Sequence, residues 1–185
     1  SLKIEGRMKE PAYVANVVST YRKALDGGSI NSLNLSKTFQ RTFTKGYLFH
    51  EEKKEITNID RPNNYGLFIG TIASNKTALG YKIKLTSPLY QNDIIRIAHK
   101  NTDINLTVAK LYDEKKNLIS SATSYCYIQM KEDLTIGDQI FKTKEYAFYQ
   151  ELEKSYPKEF KRFPMDFIVS AYANTPLAIT AICNK

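Results

Sequence analysis

The sequence predicts a mainly β protein with flanking helices, an α+β arrangement centred on one small antiparallel barrel. Between residues 61 and 142, six short apolar runs alternate with turn-forming residues, which is typical of strands that close or nearly close into a barrel. On both sides of this region, apolar residues recur at helical spacing. With 42% hydrophobic and 12% aromatic residues, the chain has enough apolar surface for a core, which argues against disorder.

The segment before the barrel predicts two helices. Pro11 suits the first position of a helix over 11–25, and Gly27-Gly28 would end it. Asn34 is the expected N-cap of a second, shorter helix. The apolar stripes expected to pack are Val14, Val17, Val18, Tyr21 and Leu25 in the first helix, and Leu35, Phe39 and Phe43 in the second.

Six strands are predicted for the barrel, and glycines mark the places where they should bend. Gly66, Gly70 and Gly80 suit bulges in tightly curved strands. The predicted strands are 66–73, 80–86, 93–99, 105–112, 119–130 and 138–142.

After the barrel, a third helix is predicted over about 144–156, with Thr143 as a possible cap and Pro157 at its end. Its tyrosines are interpreted as a packing stripe. The alternating tail from Phe163 to Ala181 predicts a β-hairpin, and its abrupt end suggests truncation.

Charge and cysteine content limit the function classes. The formal charge of +8 is spread over the whole chain, so it favours weak attraction to polyanions without locating a binding site. Cys126 and Cys183 lie far apart in apolar alternation, which argues against a zinc ribbon or a redox motif. We expect both to be buried, and we expect no metal site.

The sequence contains no apolar run long enough to cross a membrane and no signal peptide at its start. We therefore expect a cytoplasmic protein without a membrane partner.

Three blocks of sequence, in this order and spacing, resemble the collagenase-like peptidases of family U32. They are Ser1-Leu2-Lys3-Ile4-Glu5-Gly6-Arg7-Met8-Lys9 with Pro11-x-Tyr13-Val14-Ala15 and Tyr21-Arg22-Lys23-Ala24-Leu25-Asp26, then Phe39-x-Arg41-x-Phe43-Thr44-Lys45-Gly46-Tyr47-Leu48, then Arg61-Pro62-Asn63-Asn64-x-Gly66-x-x-x-Gly70. The resemblance is to the C-terminal portion of the longer family members, which have an extra C-terminal domain.

This resemblance implies three regions. Residues 1–60 would hold the last strand and helix of a TIM-type catalytic barrel, otherwise missing here, plus a helical linker. Residues 61–142 would form a six-stranded translation-factor-like barrel, and 143–185 a helix and hairpin that begin a truncated extra domain.

Glu5 and Arg7 are the candidate catalytic residues. They follow the strand implied by the resemblance, and TIM-type enzymes place their sites at the C-terminal ends of strands. Arg7 could clamp a carboxylate or phosphate while Glu5 acts as acid, base or orienting group. The structural alternative is an ion pair between strand and helix. With the rest of the barrel absent, the site would be incomplete.

Arg41, Lys45, Arg61 and Asn63 are the candidate substrate- or RNA-binding residues. They are interleaved with Phe43, Tyr47 and Tyr65, so they could contact phosphates beside stacked bases. The alternative is ordinary packing of a linker.

Three functions stay open at this point. The first is a non-catalytic accessory region of a peptidase, whose barrel positions a macromolecular substrate. The second is the RNA-contacting region of an oxygen-independent ribosomal or transfer RNA hydroxylase, which the family resemblance also includes. The third is a structural interaction module. The chain itself is expected to hold no cofactor. For the second function, the resemblance implies an iron–sulfur cluster upstream. The expected partners are the missing catalytic barrel and RNA or a polypeptide, with no DNA.

Overall fold

The computed structural model describes residues 3–41, 43–50, 52–56, 63–100, 102–156 and 164–183. The chain divides into two compact units, Ser1–Ser155 and Tyr156–Lys185. The helices are α1 (Pro11–Leu25), a 3₁₀ helix (Ser32–Lys37), α2 (Lys53–Ile56) and α3 (Tyr146–Ser155). The strands are β1 (Leu67–Ile72), β2 (Tyr81–Leu85), β3 (Leu89–Tyr90), β4 (Ile94–His99), β5 (Thr102–Thr107), β6 (Leu111–Tyr112), β7 (Leu118–Ile119), β8 (Ser121–Ala122), β9 (Tyr125–Ile128), β10 (Gln139–Lys144), β11 (Met165–Ser170) and β12 (Ala178–Cys183).

Eight strands form one antiparallel sheet that curls into a half-barrel, in the order β5-β4-β10-β1-β2-β9-β6-β7. The predicted mainly β architecture is confirmed. Strands β3 and β8 pair separately as a short ladder. The core inside the curl consists of Ile69, Ile72, Tyr81, Ile83, Leu85, Leu89, Ile95, Ile97, Val108, Leu111, Ala122, Cys126, Ile128, Met130, Leu134 and Ile140.

Two of the predicted strands are divided in the structure, because their residues change pairing partner part-way. The run predicted over 105–112 pairs with β4 as far as Thr107 and then with β9 from Tyr112. Val108, fully buried between these pairings, exchanges backbone bonds with Asn92 and Asp93. The run predicted over 119–130 divides into β7, β8 and β9, whose partners are β6, β3 and β2.

Glycine is required where β1 and β2 bend, as the sequence predicts. The pairing of β1 with β10 shifts register between Phe68 and Gly70, and Gly70 has a φ of 154°. A Cβ at Gly70 would collide with the backbone carbonyl of Lys84. The bulge therefore depends on the absence of a side chain there.

Helix α1 begins at Pro11 and gives way to Gly27, whose φ is 75°, so its predicted ends are confirmed. The second helix differs from the prediction in its type, its bounds and its cap. The structure has a 3₁₀ helix over Ser32–Lys37, capped by Asn31 rather than Asn34. The Asn31 side chain accepts a 3.1 Å hydrogen bond from the Leu33 amide. Because Thr38 is already extended, Phe39 and Phe43 lie beyond the helix.

The buried face of α1 shares only Val17 with the predicted stripe. Ala12, Asn16 and Val17 are buried, and the Asn16 amide donates to the carbonyl of Asn34 at 2.8 Å and to the Thr38 hydroxyl at 3.1 Å. These bonds turn the Asn16 side toward the 3₁₀ helix, while Ala12 packs with Tyr149 and Leu152 of α3. Three members of the predicted stripe, Val18, Tyr21 and Leu25, are exposed.

A buried ion-pair network joins the helices to the barrel. Lys142, with 4% of its side chain exposed, lies 3.1 Å from a carboxylate oxygen of Asp93 and 2.8 Å from one of Glu145. Lys37 pairs with the other oxygen of Glu145 at 2.8 Å. Two cations thus face two carboxylates, as burial of charge demands.

The N-terminus of α3 is capped from outside its own segment. Asp93 accepts a 2.9 Å hydrogen bond from the Tyr146 amide, so Asp93 takes the place predicted for Thr143. The Thr143 hydroxyl instead donates to the carbonyl of Ile94.

The second unit contains the predicted hairpin. Strands β11 and β12 pair from Met165 opposite Cys183 to Ser170 opposite Ala178. Cys183 is exposed, contrary to the expectation that it is buried, since a two-stranded hairpin has no second layer to cover it. Cys126 is buried in the first unit, as predicted.

Candidate functional site

A cavity of about 660 Å³ brings residues from both predicted groups together. It lies between the segment that precedes α1, α1 itself and the segment that follows the 3₁₀ helix. We call it the cationic cavity, and its walls are Glu5, Gly6, Arg7, Met8, Lys9, Tyr13, Val17, Tyr21, Leu35, Phe39, Gln40, Arg41 and Phe43. Three cations and one carboxylate therefore line the same space.

Backbone hydrogen bonds fix the two segments that form the walls of the cationic cavity. The Lys9 amide donates to the Gly6 carbonyl at 2.8 Å, which turns the chain just before Pro11 begins α1. On the other side, the Tyr65 amide donates to the Gln40 carbonyl at 2.7 Å. The backbone amide of Gln40 also donates to the side-chain oxygen of Asn64 at 3.1 Å. The Phe39–Arg41 wall is thus held against the entry to the barrel.

Aromatic rings and cations meet inside the cavity. The Lys9 ammonium lies 3.2 Å from the centroid of the Phe39 ring, and the Arg41 guanidinium lies 5.9 Å from it. Tyr13 contacts the same ring edge to face, with 6.4 Å between centroids. Lys9 and Arg41 are therefore positioned by cation–π contacts.

The charge environment lowers the pKa of Lys9. Partial desolvation disfavours the ammonium form, and the neighbouring Arg41 adds charge repulsion. An anion bound between these two cations would relieve that repulsion. Among the residues that the structure describes, none forms an ion pair with Lys9, Arg7 or Arg41.

The candidate catalytic residues line the rim of the cavity. Glu5 pairs with Lys3 of its own segment at 2.8 Å, and both side chains are largely exposed. Arg7 is also exposed. Residues 3–6 have no regular secondary structure and belong to no sheet among the described residues.

The candidate binding residues divide between neighbouring places. Arg41 lines the cationic cavity, whereas Asn63 lines an adjacent cavity of about 440 Å³ that shares Lys9 and Phe39 with it. Lys45 lies 5.2 Å from the Phe49 ring in a separate turn. Arg61 lies outside the described residues.

Sequence reasoning missed Lys9 and Gln40 as site residues. The Oε1 atom of Gln40 is buried and accepts no hydrogen bond from any described residue, although its amide nitrogen donates to the Gly66 carbonyl. Because this oxygen is buried, Gln40 helps to hold the wall of the cavity and does not present an acceptor to a ligand. Its only sequence signal was its position between Phe39 and Arg41.

The chemistry available elsewhere is limited. Burial raises the pKa of the Cys126 thiol to about 12, so this thiol is not a nucleophile near neutral pH. His99 contacts Asp138 at 2.6 Å, and Asp138 also accepts from the Thr135 amide, so this pair ties two turns together. The described part of the chain contains no cluster of three or more His, Cys, Asp or Glu residues that could hold a metal ion. Within those same residues, no helix is both long and apolar enough to span a bilayer.

The first part of the chain matches a known protein family. Residues 1–58 match the sequence model of peptidase family U32. We call these residues the U32 segment. The match confirms the resemblance for the first two sequence blocks, whereas the third block, at 61–70, lies beyond it. The U32 segment includes every residue of the cationic cavity.

Other similarities extend beyond the U32 segment. The chain is 23% identical over 155 residues to the tRNA hydroxylation protein P of Haemophilus influenzae, and the match covers 74% of this chain and 33% of that protein. The chain therefore matches a third of the length of this relative. Two solved structures are also similar, the C-terminal domain of a Geobacillus thermoleovorans protein assigned as a U32 peptidase and its selenomethionine variant. Their TM-scores are 0.39 and 0.38, with 14% and 15% identity, over 42% and 40% of this chain and 93% and 98% of theirs.

Proposed function

We propose that this chain is the RNA-contacting C-terminal region of a U32 protein that hydroxylates RNA, and that it positions RNA without carrying out the chemistry itself. The observation that carries the proposal is the cationic cavity, where Lys9 and Arg41 surround Phe39 without a carboxylate partner among the described residues. Cations beside exposed rings suit phosphates with unpaired bases. The similarity to a tRNA hydroxylation protein supports the same substrate class.

Each wall of the cavity has a proposed role. Arg7 and Arg41 would contact phosphates, since guanidinium groups pair with phosphate oxygens in two hydrogen bonds. Phe43, with 66% of its surface exposed, would stack on a base. Glu5 would orient the bound nucleotide.

The iron–sulfur cluster that the resemblance implies does not fit this chain. A cluster is held by several cysteine thiolates, and the chain has two cysteines. One is buried in the barrel and the other lies in the separate hairpin unit. We therefore derive no step through a cluster, and any cluster would need ligands from outside these 185 residues.

The missing catalytic barrel is the proposed intramolecular partner of α1. Val18, Tyr21 and Leu25 expose 45%, 42% and 66% of their surface along one side of the helix. An apolar stripe of this kind is stabilised by burial against another element. Tyr21 also lines the cationic cavity, so the proposed contact would lie beside the proposed RNA site.

RNA binding by the cavity is tested by fluorescence anisotropy with a labelled, unmodified tRNA at several salt concentrations. We expect Arg7→Gln/Arg41→Gln to weaken binding about tenfold or more, since each charge-assisted bond contributes about 1.5–3 kcal/mol. The dependence of log affinity on log salt should become shallower by roughly 0.7–0.9 per lost phosphate contact.

The matched control is Lys23→Gln/Lys154→Gln, which removes two positive charges from exposed positions outside the cavity. If both double variants lose affinity equally, the cavity has no special role.

The peptidase-accessory function is favoured by the family match. Binding of labelled gelatin that depends on Arg7 and Arg41, without tRNA binding, would support it instead.

A further inference from the structure

The outer face of the half-barrel carries a second arrangement of aromatic and basic side chains. Directly opposed residues of an antiparallel pair lie on the same face. Lys82 of β2 is opposite Tyr127 of β9, which is in turn opposite Tyr112 of β6. Two residues further along β2, Lys84 is opposite Tyr125. We call these five residues the tyrosine–lysine face.

This face points away from the core. Between the two rows, Ile83 is opposite Cys126, and both are fully buried. Because side chains alternate along a strand, the tyrosines and lysines must lie on the other side of the sheet. Tyr125 keeps 41% of its surface exposed, and Lys84 is also exposed.

Contacts within the face order its side chains. The Lys82 ammonium lies 4.6 Å from the Tyr125 ring and pairs with Glu114 at 2.5 Å. Glu114 belongs to the turn between β6 and β7, which Asp113 fixes by accepting hydrogen bonds from the amides of Lys115 and Asn117. The rings are therefore held on a rigid sheet, with an ordered turn at the edge.

The face is electropositive and ends in a recess. Glu114 neutralises Lys82, but Lys84 forms no ion pair with any residue in the described ranges, and Lys115 and Lys116 extend from the adjacent turn. A cavity of about 450 Å³ lies beside Tyr125, lined by Asp113, Glu114, Lys115, Asn117, Ser124 and Tyr125. The exposed Tyr125 ring, beside two half-buried tyrosines and flanked by cations, matches the chemistry of bases joined by phosphates.

We propose that the tyrosine–lysine face binds unpaired nucleotides of RNA, with bases stacked on the tyrosines and phosphates beside Lys84 and the 115–116 turn. This inference rests on the proposed RNA-contacting function and specifies a second contact, outside the U32 segment. The outer face of a sheet can receive splayed bases, whereas a regular duplex hides its bases from such a surface. The face should therefore prefer single strands.

The test is anisotropy of the full chain with a labelled 12-nucleotide oligouridine and with a duplex RNA of the same length. We expect Tyr125→Leu to weaken binding of the single strand by about 5- to 100-fold, because base–aromatic stacking is lost. Tyr125→Phe keeps the ring and should bind almost as the parent does. Tyr172→Leu is the matched control, since Tyr172 is 75% exposed in the separate hairpin unit.

Lys84→Gln should reduce the salt dependence of single-strand binding by roughly 0.7 in the log–log slope, whereas Lys154→Gln should not. Thermal unfolding of each variant separates loss of binding from loss of fold. A Tyr125→Leu variant that is folded and binds normally would overturn the inference.

Other outcomes separate this inference from the proposed function. Suppose that Arg7→Gln/Arg41→Gln weakens tRNA binding, but the Tyr125 and Lys84 variants do not affect oligouridine binding. RNA binding by the tyrosine–lysine face is then refuted, whereas RNA binding by the cationic cavity is supported. Equal affinity of the face for duplex and single strand also refutes it. Displacement of the RNA by gelatin, with gelatin binding that requires Tyr125, would assign the face to a polypeptide and overturn the RNA assignment. If the parent chain binds neither tRNA nor oligouridine at low salt, both proposals fail.

Discussion

The buried ion-pair network and the cationic cavity use the same residue types for opposite purposes. In the network, Lys142 has carboxylates on two sides and only 4% of its side chain exposed. In the cavity, Lys9 and Arg41 face an aromatic ring and each other. Desolvation, together with the nearby Arg41 charge, lowers the pKa of Lys9. Charges that are satisfied within the chain hold it together, whereas charges left facing one another are available to an external anion.

The largest effect that the comparison predicts is on stability. Lys142→Met should lower the free energy of unfolding by about 3–5 kcal/mol, because it leaves the fully buried Asp93 without its cation. Arg41→Gln in the cavity should change stability by no more than about 0.5 kcal/mol. Urea denaturation of both variants measures the difference, and similar values for the two would contradict the distinction.

The second prediction concerns how the network responds to acid. Burial alone would raise the pKa of Glu145, but hydrogen bonds from Lys142 and Lys37 outweigh it and hold that pKa below its ordinary value. A carboxylate with a lowered folded-state pKa stabilises the fold above its unfolded-state pKa of about 4.3, and this stability is lost as pH falls through the folded-state value.

Glu145→Gln should therefore destabilise the chain most near neutral pH, with the difference from the parent shrinking below about pH 4. Urea denaturation from pH 3 to 7 checks this. Glu153→Gln, an exposed change on α3, is the control that should leave the pH profile unchanged. A Glu145→Gln difference that is constant with pH would contradict the assigned ion pairs.

The smallest predicted effect concerns the cavity and its anion. Because the pKa of Lys9 lies below its ordinary value, the ammonium is lost at a lower pH than in an unperturbed lysine. RNA affinity should then begin to fall at a lower pH than the usual lysine titration at about 10.4 would give. A 2′-O-methyl RNA, which resists alkaline hydrolysis, permits this measurement.

Lys9→Arg keeps its charge over the whole range and should show a flatter pH profile than the parent. The same alkaline loss in both chains would show that Lys9 does not contact the RNA. The lysine-to-arginine change thus tests the cavity without altering its net charge.

The candidate site was only partly predictable from sequence. Arg7 and Arg41 were singled out by residue type and neighbouring motifs, and the structure brings them to one cavity. Lys9 and Gln40 gave no such signal, because Lys9 is placed by the Phe39 ring and Gln40 by hydrogen bonds with Asn64 and Gly66, which all lie on other segments. The tyrosine–lysine face was missed for the same reason, since its rows form only when β2, β9 and β6 pair.

The sequence by itself determined the properties that depend on near neighbours. Alternating apolar residues made the strands, Pro11 and Gly27 bounded α1, and Gly70 permitted the bulge in β1. Only the tertiary structure decided which face of α1 is buried, why Asp93 rather than Thr143 caps α3, and which cations remain without carboxylates. Those outcomes depend on groups that are far apart in the chain. Their burial and their ion-pair partners are set only when the fold brings them together.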